Sequence, residues 1–172
     1  EDGVYSPSSN GETFPINLKS YVSIVGTSEA STILDAEQSS RVIESEGANF
    51  VNLSNLKIQG GEATESYGGG LYMSSSDNAI LENLTITNNT VEYNGGGLYM
   101  SYSNNAMLEN LTITDNTTGG YGGGITIEDC HNITLRDLTI TGNITENIGG
   151  GIYLAYSSNA MLENLTITNN TA

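Results

Sequence analysis

GGGLYMSSSDNAILENLTITNNT, residues 68–90, returns as GGGLYMSYSNNAMLENLTITDNT at 95–117, as GGGITIEDCHNITLRDLTITGNI at 122–144, and as GGGIYLAYSSNAMLENLTITNNT at 149–171. Each copy starts 27 residues after the one before it. Inside a copy the apolar residues recur with period two. Leu71 and Met73 flank Tyr72, Ala79 and Leu81 flank Ile80, and Leu84 and Ile86 flank Thr85. That spacing belongs to strands, in short arms separated by Asn, Ser, Asp and Gly turns. A helical repeat is excluded by the glycine triplet and the many β-branched residues in every unit.

A constant period without insertions places residue n over residue n+27 of the next coil, with coils about one strand spacing, roughly 4.8 Å, apart. The fold this predicts is all-β, a right-handed parallel β-helix of about 27 residues per coil. Its inward columns are Leu71/Leu98/Ile125/Ile152, Leu81/Leu108/Leu135/Leu162, Leu84/Leu111/Leu138/Leu165 and Ile86/Ile113/Ile140/Ile167, a thin core that is continuous from coil to coil. Three columns at the turns are asparagine-rich: Asn78/Asn105/Asn132/Asn159, Asn83/Asn110/Asp137/Asn164 and Asn89/Asn116/Asn143/Asn170. A carboxamide donates to one neighbouring coil and accepts from the other, so these columns are expected to be structural ladders.

Working outward, residues 68–172 read as four regular repeats, the last incomplete, and residues 1–67 as diverged coils of the same single domain, 1–172. FPINL, YVSIVGT, STILDA, RVIES and NLSNLKIQGG are the strands of those earlier coils. Asn55-Leu56-Lys57-Ile58 matches Asn83-Leu84-Thr85-Ile86 at an offset of 28, so one extra residue lies between them. The sequence begins at Glu1-Asp2-Gly3 without a recognisable signal segment and stops at Ala172, where another glycine triplet would follow. No capping segment is legible, so open sheet edges that pair with something are expected.

Composition fits this thin core: 172 residues with no Trp, 2 Phe, 21 Gly and 2 Pro. The formal charge is −16, with 20 acidic residues against Lys19, Lys57, Arg41 and Arg136. Nucleic acid needs a cationic footprint and is excluded as a partner. No run of 18 apolar residues is present, so membrane insertion is not expected. A single cysteine, Cys130, allows no disulfide within the chain.

The units GGGLYM…NNT, GGGITI…GNI and GGGIYL…NNT resemble the Gly-Gly-x-[Ile/Leu] repeats of polymorphic outer membrane proteins and related surface β-helix proteins. The opening DGVYSPSSNGETFPINLKSYVSIVG…STILDA is similar to the first coils of large secreted β-helix proteins. The resemblance implies an extracellular or cell-surface location and adhesive or structural roles, with no catalytic residues to carry over. It also implies further coils and an anchor, which makes this chain resemble a fragment or a minimal version.

The leading expectation is therefore a non-enzymatic secreted or cell-surface structural or adhesive β-helix that self-assembles into a fibre or sheath, its partners being further copies, other surface proteins or glycans. Its candidate interaction strip comprises Tyr72, Tyr99, Tyr153, Tyr102 and Tyr156 with the outward Met107 and Met161. The loops at 91–94, 118–121 and 145–148 vary while their surroundings repeat, so a recognition edge is expected there. The alternative is a carbohydrate-binding or carbohydrate-cleaving β-helix. Glu128-Asp129-Cys130-His131 breaks the repeat and supplies the only plausible acids, although turn variation explains it as well. Arg136, in the column Glu82/Glu109/Arg136/Glu163, reads as a relief of like-charge stacking. A third expectation is ice binding by the Thr-x-Thr rows Thr85/Thr87, Thr112/Thr114, Thr139/Thr141 and Thr166/Thr168. Asn88, Asn116, Asn143 and Asn169 stand in Asn-x-Ser/Thr acceptor sequences near strand ends and are candidate glycosylation sites. No metal site or cofactor is expected, and the acidic columns admit Ca2+ only unspecifically.

Overall fold

The computed structural model describes residues 2–172. The chain winds into a β-helix in which every strand pair is parallel and each coil hydrogen-bonds to the next. Three sheets of ten, six and four strands enclose the core.

Each regular coil gives one arm to each sheet. Leu71–Ser74, Leu98–Ser101, Ile125–Glu128 and Ile152–Ala155 continue the six-stranded sheet begun by Ile16–Asn17 and Ile43–Glu46. Ile80–Thr87 and Met107–Thr114 are the long arms of the ten-stranded sheet, and in the later coils the same arm divides, as in Thr134–Arg136 and Thr139–Thr141. Glu62–Ala63, Thr90–Val91, Thr117–Thr118 and Ile144–Thr145 form the narrow third sheet.

Register follows the repeat. Leu71 pairs with Leu98, Leu98 with Ile125 and Ile125 with Ile152. The 28-residue offset is equally visible, since Leu56 pairs with Leu84 and Ala63 with Val91. The extra residue can be placed. The Gly68 and Gly95 amides make the same step, donating to Asn94 O at 3.0 Å and Tyr121 O at 2.9 Å. The insertion therefore lies at residues 64–67, opposite the shorter 92–94.

All four inward columns are buried through their first three members, whereas Leu162 and Ile167 in the last coil are 48% and 47% exposed because no coil lies over them. Full burial of a Leu or Ile side chain contributes roughly 1.5–3 kcal/mol. A coil therefore gains its stability from its neighbours, as in other solenoids.

The asparagine columns divide into two kinds. Asn89, Asn116 and Asn143 are fully buried. Asn116 Oδ1 accepts from the backbone N–H and Nδ2 of Asn89 at 3.1 and 3.0 Å, and its own Nδ2 donates to Asn143 Oδ1, Ile86 O and Thr114 O, each at 3.0 Å. The columns starting at Asn78 and Asn83 have a second role. Asn78, Asn105, Asn132 and Asn159 all have φ near +57°, and so do Asn83, Asn110, Asp137 and Asn164, within a few degrees. They turn the chain through the left-handed region, which Asn and Asp tolerate better than other side chains. Their exposed amides still link the coils, as in Asn110 Nδ2 to Asn83 Oδ1 at 2.7 Å.

The glycine triplets hold successive coils at their spacing. The first member takes a positive φ, +75° at Gly95. The second and third lie against the next coil's backbone. A Cβ on Gly96 would stand 2.4 Å from Gly123 O, and one on Gly97 would stand 2.8 Å from Gly124 O.

The opening residues depart from the strand-and-turn reading. Pro7–Asn10 is a short helix whose N-cap, Ser6, accepts from Ser9 N, with Pro at the first turn. Both are helix-start signals that the surrounding coil pattern obscured.

Candidate binding face

The outward side of the six-stranded sheet carries the register column Glu44, Tyr72, Tyr99, Thr126, Tyr153. Tyr72 stacks on Tyr99 with centroids 5.7 Å apart, and the Arg41 guanidinium lies 4.7 Å from the Tyr72 ring centroid, held also by Glu44 at 3.5 Å. Tyr99 is only 8% exposed. Burial, and then the hydrogen bond from its hydroxyl to Glu128 Oε2 at 2.9 Å, holds its phenol well above the usual tyrosine range.

The covering groups come from the variable loops. Tyr67 packs on Tyr99 at 4.7 Å and on Tyr93 at 5.4 Å, and Tyr121 packs on Tyr153 at 4.8 Å. Tyr67 and Tyr121 fall in one column of the period, Tyr67/Asn94/Tyr121/Ile148, which is aromatic only in alternate coils, and Tyr93 stands one residue ahead of it. Their signal is local: each stands one or two residues ahead of a glycine triplet.

The single interaction strip expected from sequence is therefore divided. Tyr72 and Tyr153 are half-buried, Tyr72 against Tyr99 and Arg41 and Tyr153 against Tyr121. Tyr102 and Tyr156, 61% and 80% exposed, sit at left-handed corners beyond that sheet. Met107 and Met161 lie on the ten-stranded sheet, past the turn.

Two of the four candidate glycosylation sites are corrected. Asn116 and Asn143 are fully buried with every side-chain amide group engaged in the ladder, so the folded chain offers no nitrogen there for glycan attachment. Asn88 and Asn169 are exposed and occupy a different column, shared with Asp115 and Gly142. The acceptor sequence is the same, but a one-residue shift decides whether the side chain points in or out.

Glu128, Asp129, Cys130 and His131 do not converge. Cys130 points inward and replaces a serine of its column: its Sγ accepts from Ser103 N at 3.3 Å and donates to Glu128 O at 3.2 Å. Ser103 Oγ serves Ser76 N in the same way at 2.9 Å. Asp129 is a left-handed corner, and the exposed His131 Nδ1 lies 3.0 Å from Ser158 Oγ. Burial pushes the Cys130 thiol up to about 11. Its reaction with a disulfide reagent at pH 8 is expected to be slower than in the unfolded chain by roughly two orders of magnitude. Equal rates in buffer and in guanidinium would refute that placement.

Arg136 bonds Glu109 at 2.9 Å and faces Glu163 across the sheet, the charge relief expected of its column. The Thr-x-Thr rows are in register, Thr85 to Thr112 to Thr139 to Thr166. Among the described residues no group of three His, Cys, Asp or Glu side chains is placed to hold a metal ion.

The variable loops, with Tyr67, line a shallow, open cleft of about 300 Å3 that Tyr67, Tyr93 and Tyr121 border. It lies on the loops where the sequence placed a recognition edge, and Tyr93 and Tyr121 belong to those loops.

A family model described as right handed beta helix region matches residues 22–172. The chain belongs to the right-handed β-helix family. No curated protein matches this β-helix in sequence. It is similar in fold to the crystal structure of a putative glycosyl hydrolase from Parabacteroides merdae ATCC 43184, with a TM-score of 0.68 and 14% identity over 96% of this chain and 79% of that one. At that identity the likeness concerns the fold.

Proposed function

We propose that this β-helix is a non-enzymatic structural or adhesive module of a secreted or cell-surface protein, and that it makes its contacts through the loop edge. One observation carries the reading. A loop edge where successive coils differ in sequence also brings three tyrosine rings together, Tyr67, Tyr93 and Tyr121, the first two 38% and 42% exposed. A repetitive scaffold that carries a variable loop edge suits recognition rather than turnover. The Gly-Gly-x-[Ile/Leu] units add support through their resemblance to surface β-helix repeats, and the residues that break the pattern at 128–131 have structural partners. Fibre formation belongs to the same reading, and filaments of the purified chain in electron micrographs would extend it.

Beads coupled to the chain are expected to adhere to polysaccharide or protein films, or to one another, well above albumin-coated beads. A carbohydrate-cleaving activity is the second reading, favoured by the name of the structural neighbour. Release of reducing ends from a polysaccharide that vanishes in Glu128→Gln would establish it and overturn the non-enzymatic proposal.

A further inference from the structure

We infer that the cleft on the loop edge is a binding site for a neutral glycan, with a pyranose ring lying against Tyr93 beside the notch at Gly119-Gly120. The inference deepens the adhesive reading and rests on it.

The notch has a definite origin in the sequence. At a spacing of 27, residues 92, 119 and 146 are Glu, Gly and Glu, and residues 93, 120 and 147 are Tyr, Gly and Asn. One coil therefore carries glycines where both its neighbours carry side chains; the two glycines pack closely on Glu92 O, Tyr93 O and Asn94 Oδ1, and the depression beside them is walled by Glu92 and Tyr93 on one side and Asn147 on the other. The floor is rigid. Gly119 N donates to Val91 O at 3.2 Å, Gly120 N to Tyr93 O at 3.0 Å, and Tyr121 N to Asn94 Oδ1 at 2.9 Å, while the Thr118 hydroxyl also donates to Tyr93 O. A cleft fixed in this way is formed before any ligand arrives, which lowers the ordering cost of binding.

Its chemistry is that of a sugar site. The C–H face of a pyranose is apolar and weakly positive, and it suits the electron-rich face of an exposed tyrosine. Sugar hydroxyls both donate and accept, and the walls offer both. Asn94 uses its Oδ1 on Tyr121 and keeps its Nδ2 for a ligand. Glu92 uses Oε2 on Glu65 N, at 2.8 Å, and keeps Oε1. Asn147 engages only its backbone N–H, leaving a whole carboxamide.

Charge selects within the class. No Lys or Arg lines the cleft, Glu92 does, and the chain carries −16 overall. A polyuronate would meet repulsion without a compensating cation, so neutral sugars are the ligands of choice. A volume of about 300 Å3 is at the small end of ligand sites, which fits a short oligosaccharide or the end of a longer chain.

The test is calorimetric titration of the full chain with cellotriose, maltotriose, mannotriose and chitotriose, with trigalacturonate as the anionic probe. At least one neutral probe is expected to bind with a Kd on the order of 1 mM. Tyr93→Ala should weaken that binding roughly tenfold or more, and Tyr93→Phe should stay within about threefold because the ring face remains. Circular dichroism melts of both variants report folding. Undiminished binding by a folded Tyr93→Ala would remove the site, and tighter binding of trigalacturonate would remove the neutral class. No binding of any probe by a chain whose beads still adhere would overturn the glycan while leaving the adhesive reading. Loss of adhesion as well would overturn both.

Discussion

Asn116→Asp is expected to destabilise the β-helix more than Asn116→Ala, although it changes one heavy atom and keeps the side-chain shape. Asn116 is fully buried, and its Nδ2 donates to three oxygens while its Oδ1 accepts from two Asn89 groups. Alanine leaves the buried Asn89 N–H without a partner and breaks the ladder in two, for a loss of about 3–5 kcal/mol. A carboxylate keeps the two accepted bonds but turns its other oxygen toward Ile86 O, Thr114 O and Asn143 Oδ1, with no donor between them and a buried charge added.

The introduced carboxyl should therefore have a folded pKa raised above its unfolded value of about 3.9. The linkage sign follows. The penalty is full above the raised folded pKa, and it shrinks as the pH falls toward the unfolded value, because the protonated form fits the site better. Urea melts of Asn116→Asp and wild type, paired at each pH from 7 to 4, should show the gap narrowing on acidification. A gap that is constant or widens would mean that the carboxyl has escaped to water and that the ladder is looser than its geometry. Asn110→Ala is the contrasting case. It loses one exposed ladder bond, at 2.7 Å, and places alanine at φ +53°, for about 1–2 kcal/mol without a pH-dependent component.

The legible and illegible parts of the sequence separate along the same physical line. Whatever depends on coil-to-coil identity could be read directly, because stacking like on like at a spacing of 27 makes position and environment the same thing. The inward Leu and Ile columns, the Ser-like role of Cys130 and the placing of Arg136 between glutamates all follow from that. Side-chain direction at the corners did not follow. A left-handed residue reverses the in–out alternation, so Asn88 and Asn116 carry the same acceptor pattern and end on opposite sides of the wall. The candidate site was legible in place and only partly in composition. The variable loops marked the edge and contain Tyr93 and Tyr121, but Tyr67 and Tyr121 pack on Tyr99 and Tyr153 of the neighbouring sheet, contacts between columns that like-on-like stacking does not encode. The short helix Pro7–Asn10 was lost for a similar reason, since its cap and proline act locally and independently of the period.

Gly96→Ala tests the device that makes the period possible. The Gly95, Gly96 and Gly97 amides donate to Tyr121 O, Gly122 O and Gly124 O at 2.9, 3.2 and 3.1 Å, so two backbones run one over the other with no side chain between them. A methyl group on Gly96 would meet Gly123 O at 2.4 Å and Thr117 O at 2.9 Å. Both are backbone atoms, fixed in turn by the next coil, so neither can rotate away. The contact can be relieved only by parting the coils, and that loosens the ladder of the flanking arms as well. The expected loss is more than about 3 kcal/mol, which for a chain of this size lowers Tm by roughly 10 °C. Nearest-neighbour coupling adds a sharper signature: weakening one coil interface should split a single calorimetric transition into two. Gly47→Ala is the control. It also has a positive φ, +66°, but a Cβ there meets nothing within 4 Å, so only the left-handed penalty of about 1 kcal/mol applies. If the two variants melt together in one transition, the glycine triplets serve only to turn the chain and do not set the distance between coils.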